Sequence, residues 1–320
     1  MFGKTSMWKR IGMGAAVVAC ATLAGAANAG AEDPAEEPVV VAKADEAART
    51  PKASTSKKKA ARPRLDVVFA VDATSSMADE IEVIKKEVWT IANRLMTGKP
   101  APDIRFGLVF YKDVGDDFVV RATPLTRDVD KIHGLLMSAP VSGGGDFPEH
   151  VGRGLHAAME MDWDTSGDVA KMVYLVGDAP ASRRDDQYTV PTAIAKAKEL
   201  GVVIHAIGCS GIRNGREEFT HIATETDGTY QSLTYHAVVK GDDGKERSVV
   251  YHDGETYEAD EVLSDEEWKE GAGELLKKKK VKKASRRTKS RAASAPKRNN
   301  MDDVAFDSVA GEAEKMGVSY

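Results

Sequence analysis

Between residues 64 and 234 the hydrophobic positions switch repeatedly between two periods. Residues 65–71 form a short, nearly continuous apolar run, the pattern of a strand covered on both faces. Ile81, Ile84, Val88, Ile91 and Leu95 then recur at spacings of three and four, which predicts an amphipathic helix. Strand-like runs return at 104–111, 118–122, 172–176, 202–207 and 229–233, and helical patterns lie between them at 129–136, 151–161, 189–200 and 216–226. This alternation predicts an α/β fold: a doubly wound, mostly parallel sheet with helices on both faces, spanning 64–234.

The flanking segments read differently. Val238-Val239, a turn at Gly241-Asp242-Asp243-Gly244, and Val249-Val250-Tyr251 predict a β-hairpin. Ser264 followed by Glu267 predicts the start of a short helix, so 235–276 is expected to be a small hairpin-and-helix extension. Residues 277–298 carry twelve Lys and Arg with no acid, interspersed with Ala and Ser, and are expected to be a flexible basic linker. Residues 302–316 could form one amphipathic helix docking back on the body, within a closing segment 299–320. At the other end, 1–29 combines a cationic start, an apolar stretch and Ala27-Asn28-Ala29, the pattern of a cleaved signal peptide. Val17-Val18-Ala19-Cys20 also resembles a lipobox, but the apolar stretch running on to Ala26 argues against lipidation at Cys20. Residues 30–63 are rich in Ala, Pro and Ser and are expected to be a disordered tether. The chain is therefore expected to be exported, to the periplasm, the cell surface or the medium.

Composition narrows the function classes. With 42% hydrophobic and 30% charged residues, the 320-residue chain is ordinary globular material, and two cysteines cannot make a disulfide framework. The net charge of −5 is uneven: without the bases of 1–29 and 277–298, thirty Lys and Arg face fifty Asp and Glu. An acidic body of this kind is not a specific nucleic-acid-binding fold. Binding to anionic polymer or lipid would have to come from 277–298 alone.

Ligands of a doubly wound sheet sit beyond the carboxyl ends of its strands. Three loops there carry hard oxygen donors. Asp72, Thr74 and Ser76 follow the first strand and place a carboxylate and two hydroxyls on one side of a tight loop. Gly143-Gly144-Gly145-Asp146-Phe147-Pro148-Glu149 is the second, and Gly177-Asp178-Ala179-Pro180 the third. Together they suit octahedral Mg²⁺ or Mn²⁺, with Ca²⁺ also possible. The structural alternatives are helix capping by the hydroxyls, a helix-dipole preference for Asp146 and Glu149, and a simple turn at Asp178.

On these residues the region 64–234 resembles a von Willebrand factor type A domain, and Asp72-x-Thr74-x-Ser76 resembles that family's metal-ion-dependent adhesion motif with threonine in place of one serine. The resemblance implies Asp178 as the third-loop aspartate, acting directly or through water. It also implies a protein partner whose carboxylate completes the metal shell. One departure is that Glu149 stands where the family usually has a metal-binding threonine, inside a Gly-Gly-Asp-x-Pro-Glu loop that resembles a subgroup of the family. An added carboxylate, with Asp146 as a further candidate, would raise metal affinity and weaken the pull on an acidic ligand.

An enzyme is not expected. A strand ending in Asp also opens haloacid-dehalogenase-like phosphatases, but those need a second Asp where Thr74 stands. Gly143-Gly144-Gly145 is not followed by a P-loop lysine, and Ser75 and Ser76 are not in a Gly-x-Ser-x-Gly elbow. His150 and His156 do not share a helix face, and His205 and Cys209 are expected to be core residues. The resulting expectation is a metal-binding, adhesion-type interaction module, with attachment to anionic envelope material through 277–298 as the alternative and a metal-dependent hydrolase third.

Overall fold

The computed structural model describes residues 62–320 except 140, 146, 185–186, 210–211 and 253. The expected signal peptide, the Cys20 lipobox, nearly all of the 30–63 tether and Asp146 lie outside the described residues.

Among the described residues, six strands form one sheet in the order β3-β2-β1-β4-β5-β6. They are β1 (Arg64–Asp72), β2 (Asp103–Tyr111), β3 (Val120–Thr126), β4 (Val169–Gly177), β5 (Val202–Gly208) and β6 (Tyr230–Ser232). All neighbours pair in parallel except β2 with β3. The chain moves outward from β1 through β2 to β3, then returns to lay β4 on the other side of β1. The strand order therefore reverses between β1 and β4, where Val71 pairs with Val176, and opens a crevice beyond their carboxyl ends.

Alternation along β1 separates two cores. Leu65, Val67, Phe69 and Val71 face α1 (Ala78–Met96), α2 (Val129–Met137) and α9 (Met301–Lys315). Val68 and Ala70 face α3 (Val151–Met159), α4 (Val190–Leu200) and α5 (Arg216–Glu225). Each fully buried side chain of this size stabilises the fold by about 1.5–3 kcal/mol. Helix ends are set locally: His150 Nδ1 accepts the Arg153 N–H at 3.3 Å to cap α3, and Gly201 at φ +65° terminates α4. His205 is buried against the Tyr174 ring, 5.2 Å between centroids, and Cys209 is fully buried.

The helix α9 belongs to the main core although it is last in the chain. Met301, Ala305, Val309 and Ala313 pack in the same cluster as Phe69, and the Arg94 guanidinium stacks 3.6 Å from the Phe306 ring centroid. Lys99 and Ser319 exchange backbone hydrogen bonds at 2.8 and 2.9 Å, which ties down the chain's end.

Between β6 and α9 lies a second sheet in the order β10-β9-β8-β7-β11. Its strands are β7 (Tyr235–Lys240), β8 (Glu246–His252), β9 (Glu255–Ala259), β10 (Val281–Lys283) and β11 (Arg298–Asn299). The hairpin β7–β8 turns at Gly244, φ +78°. The helices α6 (Asp265–Lys269), which begins with a complete capping box at Ser264, and α7 (Ala272–Lys277) bury Trp268 and Leu275 against this sheet.

Residues 277–298 are not the linker expected from composition. They supply the end of α7, β10, the helix α8 (Arg286–Ala293) and the start of β11. Two features outside a composition count account for this. Val281, Ala284 and Ala292 are buried, and most of the bases meet acids of the preceding forty residues. Lys277 pairs with Glu274 and Lys278 with Glu270, each at 2.6 Å, and Lys282 pairs with Asp260 at 2.7 Å. Lys280 pairs with Glu267, Arg287 and Arg291 share Asp242, and Arg298 holds Asp265 at 2.6 Å. Each exposed pair contributes little stability, but together they offset more than half of the segment's charge.

Candidate metal centre at the strand ends

The crevice between β1 and β4 collects the predicted residues from three loops. Asp72 ends β1 with no exposed surface, and Thr74 beside it is equally buried. The Thr74 backbone N–H and hydroxyl both donate to Asp72 Oδ1, at 2.9 and 2.7 Å. The hydroxyl thus orients the aspartate and makes no cap to the helical turn at Ser75–Met77, so the capping alternative does not account for it. Thr74 Oγ1 and Ser76 Oγ lie 3.0 Å apart, and Ser76 Oγ donates to Asp178 Oδ1 at 3.1 Å. Asp72, Thr74, Ser76 and Asp178 therefore form a continuous row of oxygens across the crevice.

The glycine loop brings Glu149 to the same place. Ser142 N–H donates to the Ala73 carbonyl at 3.3 Å and Ser75 N–H to the Gly143 carbonyl at 3.2 Å, which laces the second loop onto the first. Gly144, at φ +73°, lies so close that a Cβ there would sit 2.7 Å from Thr74 Cβ and 3.2 Å from Glu149 Oε1. Only glycine accommodates both that conformation and that contact. Glu149 is also bound to the third loop: its N–H donates to the Pro180 carbonyl at 3.0 Å and its carbonyl accepts from Ser182 N–H at 2.6 Å.

Residues that the spacing gave no reason to single out complete the surroundings. Asp116, in the β2–β3 connection, accepts the Gly144 N–H at 3.0 and 3.2 Å and holds the glycine loop in place. Asp113 is 2% exposed and paired with Arg184 at 2.6 Å. Lys112 is fully buried, but its Nζ is taken by Asp117 at 2.8 Å and Ser142 Oγ at 2.7 Å. The acid-rich stretch Asp113-x-x-Asp116-Asp117, which directly follows the strand run at 104–111, was the available sequence signal.

Electrostatically the centre is an anionic cluster short of positive charge. Burial pushes the Asp72 carboxyl up to about 7; the Asp178 charge adds to this, and the Thr74 hydrogen bonds oppose it. Burial, then Asp72 and Asp113, raise Glu149 to about 8. Burial raises Asp178 to about 6 against the Ser76 hydrogen bond. Asp72 Oδ2 and Glu149 Oε2 are buried and have no hydrogen-bond partner among the described residues. Unsatisfied buried carboxylate oxygens beside hydroxyls are the donors a hard divalent cation takes, so the residues present fit such an ion. Among the described residues no three His, Cys, Asp or Glu gather closely enough to hold a metal by themselves, so hydroxyl and water oxygens would have to share the shell.

A groove of about 830 Å³ adjoins the centre, lined among others by Phe147, Pro180, Arg183, Asn214 and His221. Phe147 is 56% exposed there, and Val114 in the β2–β3 connection is 52% exposed.

No curated protein matches the chain. Among solved structures it is similar to the pilus adhesin SpaC from Lactobacillus rhamnosus GG, at 14% identity and a TM-score of 0.42, covering 61% of this chain and 36% of that one. It is also similar to proximal thread matrix protein 1 from the mussel byssus, at 22% identity and a TM-score of 0.41, covering 53% and 42%. A form of that protein with a zinc-occupied MIDAS motif gives the same identity and coverage and a TM-score of 0.42. The chain thus spans less than half the length of each. A family model described as von Willebrand factor A domain matches residues 66–240, more than half of the chain and the part holding Asp72, Glu149 and Asp178, and the chain accordingly belongs to the von Willebrand factor A domain family.

Proposed function

We propose that the chain is an exported protein-interaction module that holds one divalent cation at the carboxyl ends of β1 and β4 and recognises a protein partner there without turning it over. Mg²⁺ and Mn²⁺ fit the donor set best, and Ca²⁺ is the third candidate. The observation that carries the reading is Asp72: a carboxylate with no exposed surface, one oxygen held by Thr74 and the other unpartnered, facing Ser76, Asp178 and Glu149. Asp72, Thr74 and Ser76 would hold the ion, Asp178 would act directly or through water, and Glu149 would supply the carboxylate that replaces a threonine hydroxyl. When bound, the ion supplies an electrophilic position for a partner's carboxylate. Glu149 tempers that pull by neutralising charge in place. The exposed Phe147 and Val114 and the groove past Arg183 offer contact area around this point.

Export is supported by the pattern of residues 1–29. No helix among the described residues is long and apolar enough to cross a membrane. Attachment through 277–298 has less support, because most of its bases are already ion-paired within the second sheet.

The test is calorimetric titration of Mg²⁺ and Mn²⁺ into the wild type, Asp72→Ala and Glu149→Thr. Asp72→Ala is expected to remove the binding heat. Glu149→Thr is expected to weaken metal binding while strengthening capture of an acidic peptide by the loaded protein. Titrations identical in all three proteins would overturn the site.

A further inference from the structure

A second cavity, of about 320 Å³, opens where the first turns of α1 meet β7, β8 and the entry to β11. Val83 and the rings of Tyr235 and Tyr251 provide apolar wall, and two groups of opposite charge face it. Glu80, from α1, is only 6% exposed, yet among the described residues it has no hydrogen bond and no ion pair. Lys297, from the segment before β11, has its Nζ 4.7 Å from the Tyr251 ring centroid and, among the described residues, no carboxylate partner. Of the bases in 277–298 without an acidic partner, Lys297 is the one that lines this cavity. The neighbouring polar groups are committed elsewhere: Glu82 is held by Lys85 at 2.7 Å, and Asn299 Oδ1 accepts the Met301 N–H at 2.9 Å. The Tyr251 hydroxyl is buried with no hydrogen-bond partner among the described residues.

The Glu80 carboxylate lies on the cavity wall with no partner from the described residues, so it is free to take a charge-assisted hydrogen bond from a ligand's cationic group. A purely cationic ligand would satisfy Glu80 but meet Lys297, and a purely anionic one would meet the reverse conflict. A ligand carrying both charges on a compact apolar body satisfies both groups at once, and the volume lies in the range of small-molecule sites. We propose that this cavity binds a small zwitterion of the α-amino-acid class, its ammonium on Glu80, its carboxylate on Lys297 and its side chain against Val83, Tyr235 and Tyr251. Glu80 also acts on Asp178, whose carboxyl it helps to raise, so the cavity adjoins the candidate metal centre and its occupancy is read with the metal removed.

Calorimetry on the full-length protein in EDTA tests this, with L-phenylalanine as the probe and 2-phenylethylamine and 3-phenylpropionate as its single-charge counterparts. Saturable binding of L-phenylalanine is expected, weakened about tenfold or more by Glu80→Gln and by Lys297→Met, because each removes one charge-assisted contact. The amine is expected to be weakened by Glu80→Gln and strengthened by Lys297→Met, and the acid to show the reverse. Lys297 is exposed, so its variant keeps the test decisive if Glu80→Gln does not fold. No heat up to about 10 mM L-phenylalanine, equal affinity in wild type and Lys297→Met, or amine binding as tight as amino-acid binding would overturn the proposal.

Discussion

Replacing Gly144 by alanine probes the point where two loops meet around the candidate metal centre. The added methyl carbon would lie 2.7 Å from Thr74 Cβ, an atom fixed to the backbone, and 3.2 Å from Glu149 Oε1. The residue would also have to keep φ near +73°, which costs an L-residue about 1–2 kcal/mol. Pushing the glycine loop off Thr74 adds strain of about 1–3 kcal/mol, by analogy with overpacked cores. The expected loss is about 2–5 kcal/mol, which would lower a urea midpoint by at least about 0.7 M at m-values of about 1–3 kcal/mol/M. The displacement separates Thr74 from Glu149, so Mg²⁺ affinity is expected to fall as well. Gly145→Ala is the internal control: nothing lies within 4 Å of its Cβ position, and its φ is not in the left-handed region. Urea titration of the three proteins, followed by calorimetry with Mg²⁺, reads both effects. A Gly144→Ala midpoint equal to that of Gly145→Ala would refute the close approach on which the placement of Glu149 depends.

Other outcomes follow from the same geometry. His205 Nδ1 accepts the Thr229 N–H at 3.2 Å, and burial pushes its pKa down to about 4. The unfolded chain therefore binds a proton below about pH 6.5 that the folded one refuses, and up to about 3 kcal/mol of stability is lost as pH falls from 6.5 to 4; His205→Gln should remove that share from the pH dependence of the urea midpoint. The raised carboxylates of Asp72, Asp178 and Glu149 act in the opposite direction in metal-free protein: their stabilisation is present near pH 4 and lost as pH rises toward 6–8. Saturating Mg²⁺ should cancel that loss, and identical pH profiles with and without Mg²⁺ would contradict it. Trp268→Ala should cost about 3–5 kcal/mol, because the indole is 1% exposed and stacked on His236 at 5.2 Å. Vesicles of anionic lipid at physiological salt should not retain the wild type, whereas removing Asp242, Asp260 and Glu270 together should free Arg287, Arg291, Lys282 and Lys278 and produce salt-sensitive retention.

The sequence by itself determined the parallel sheet, because continuous apolar runs alternating with helical stripes have one economical packing. It also placed Asp72, Thr74, Ser76 and Asp178, because residues just past buried strands must lie at one end of the sheet. Strand pairing, by contrast, is not written in local periodicity. Only the tertiary structure set β1 beside β4 and so joined Ser76 to Asp178 across about a hundred residues. The same holds for Glu149, whose position depends on Gly144 closing against Thr74 and on Asp116 holding the glycine loop. The segment 277–298 shows the limit most directly: its charge suggested a solvated linker, but charge counts are blind to where the opposite charges lie. Folding placed Glu270, Glu267, Asp260 and Asp242 beside its bases and left Lys297 facing Glu80 across a cavity that no local pattern foretells. Short-range chemistry is legible in the order of residues, whereas pairing between distant segments is decided by which surfaces can be buried together.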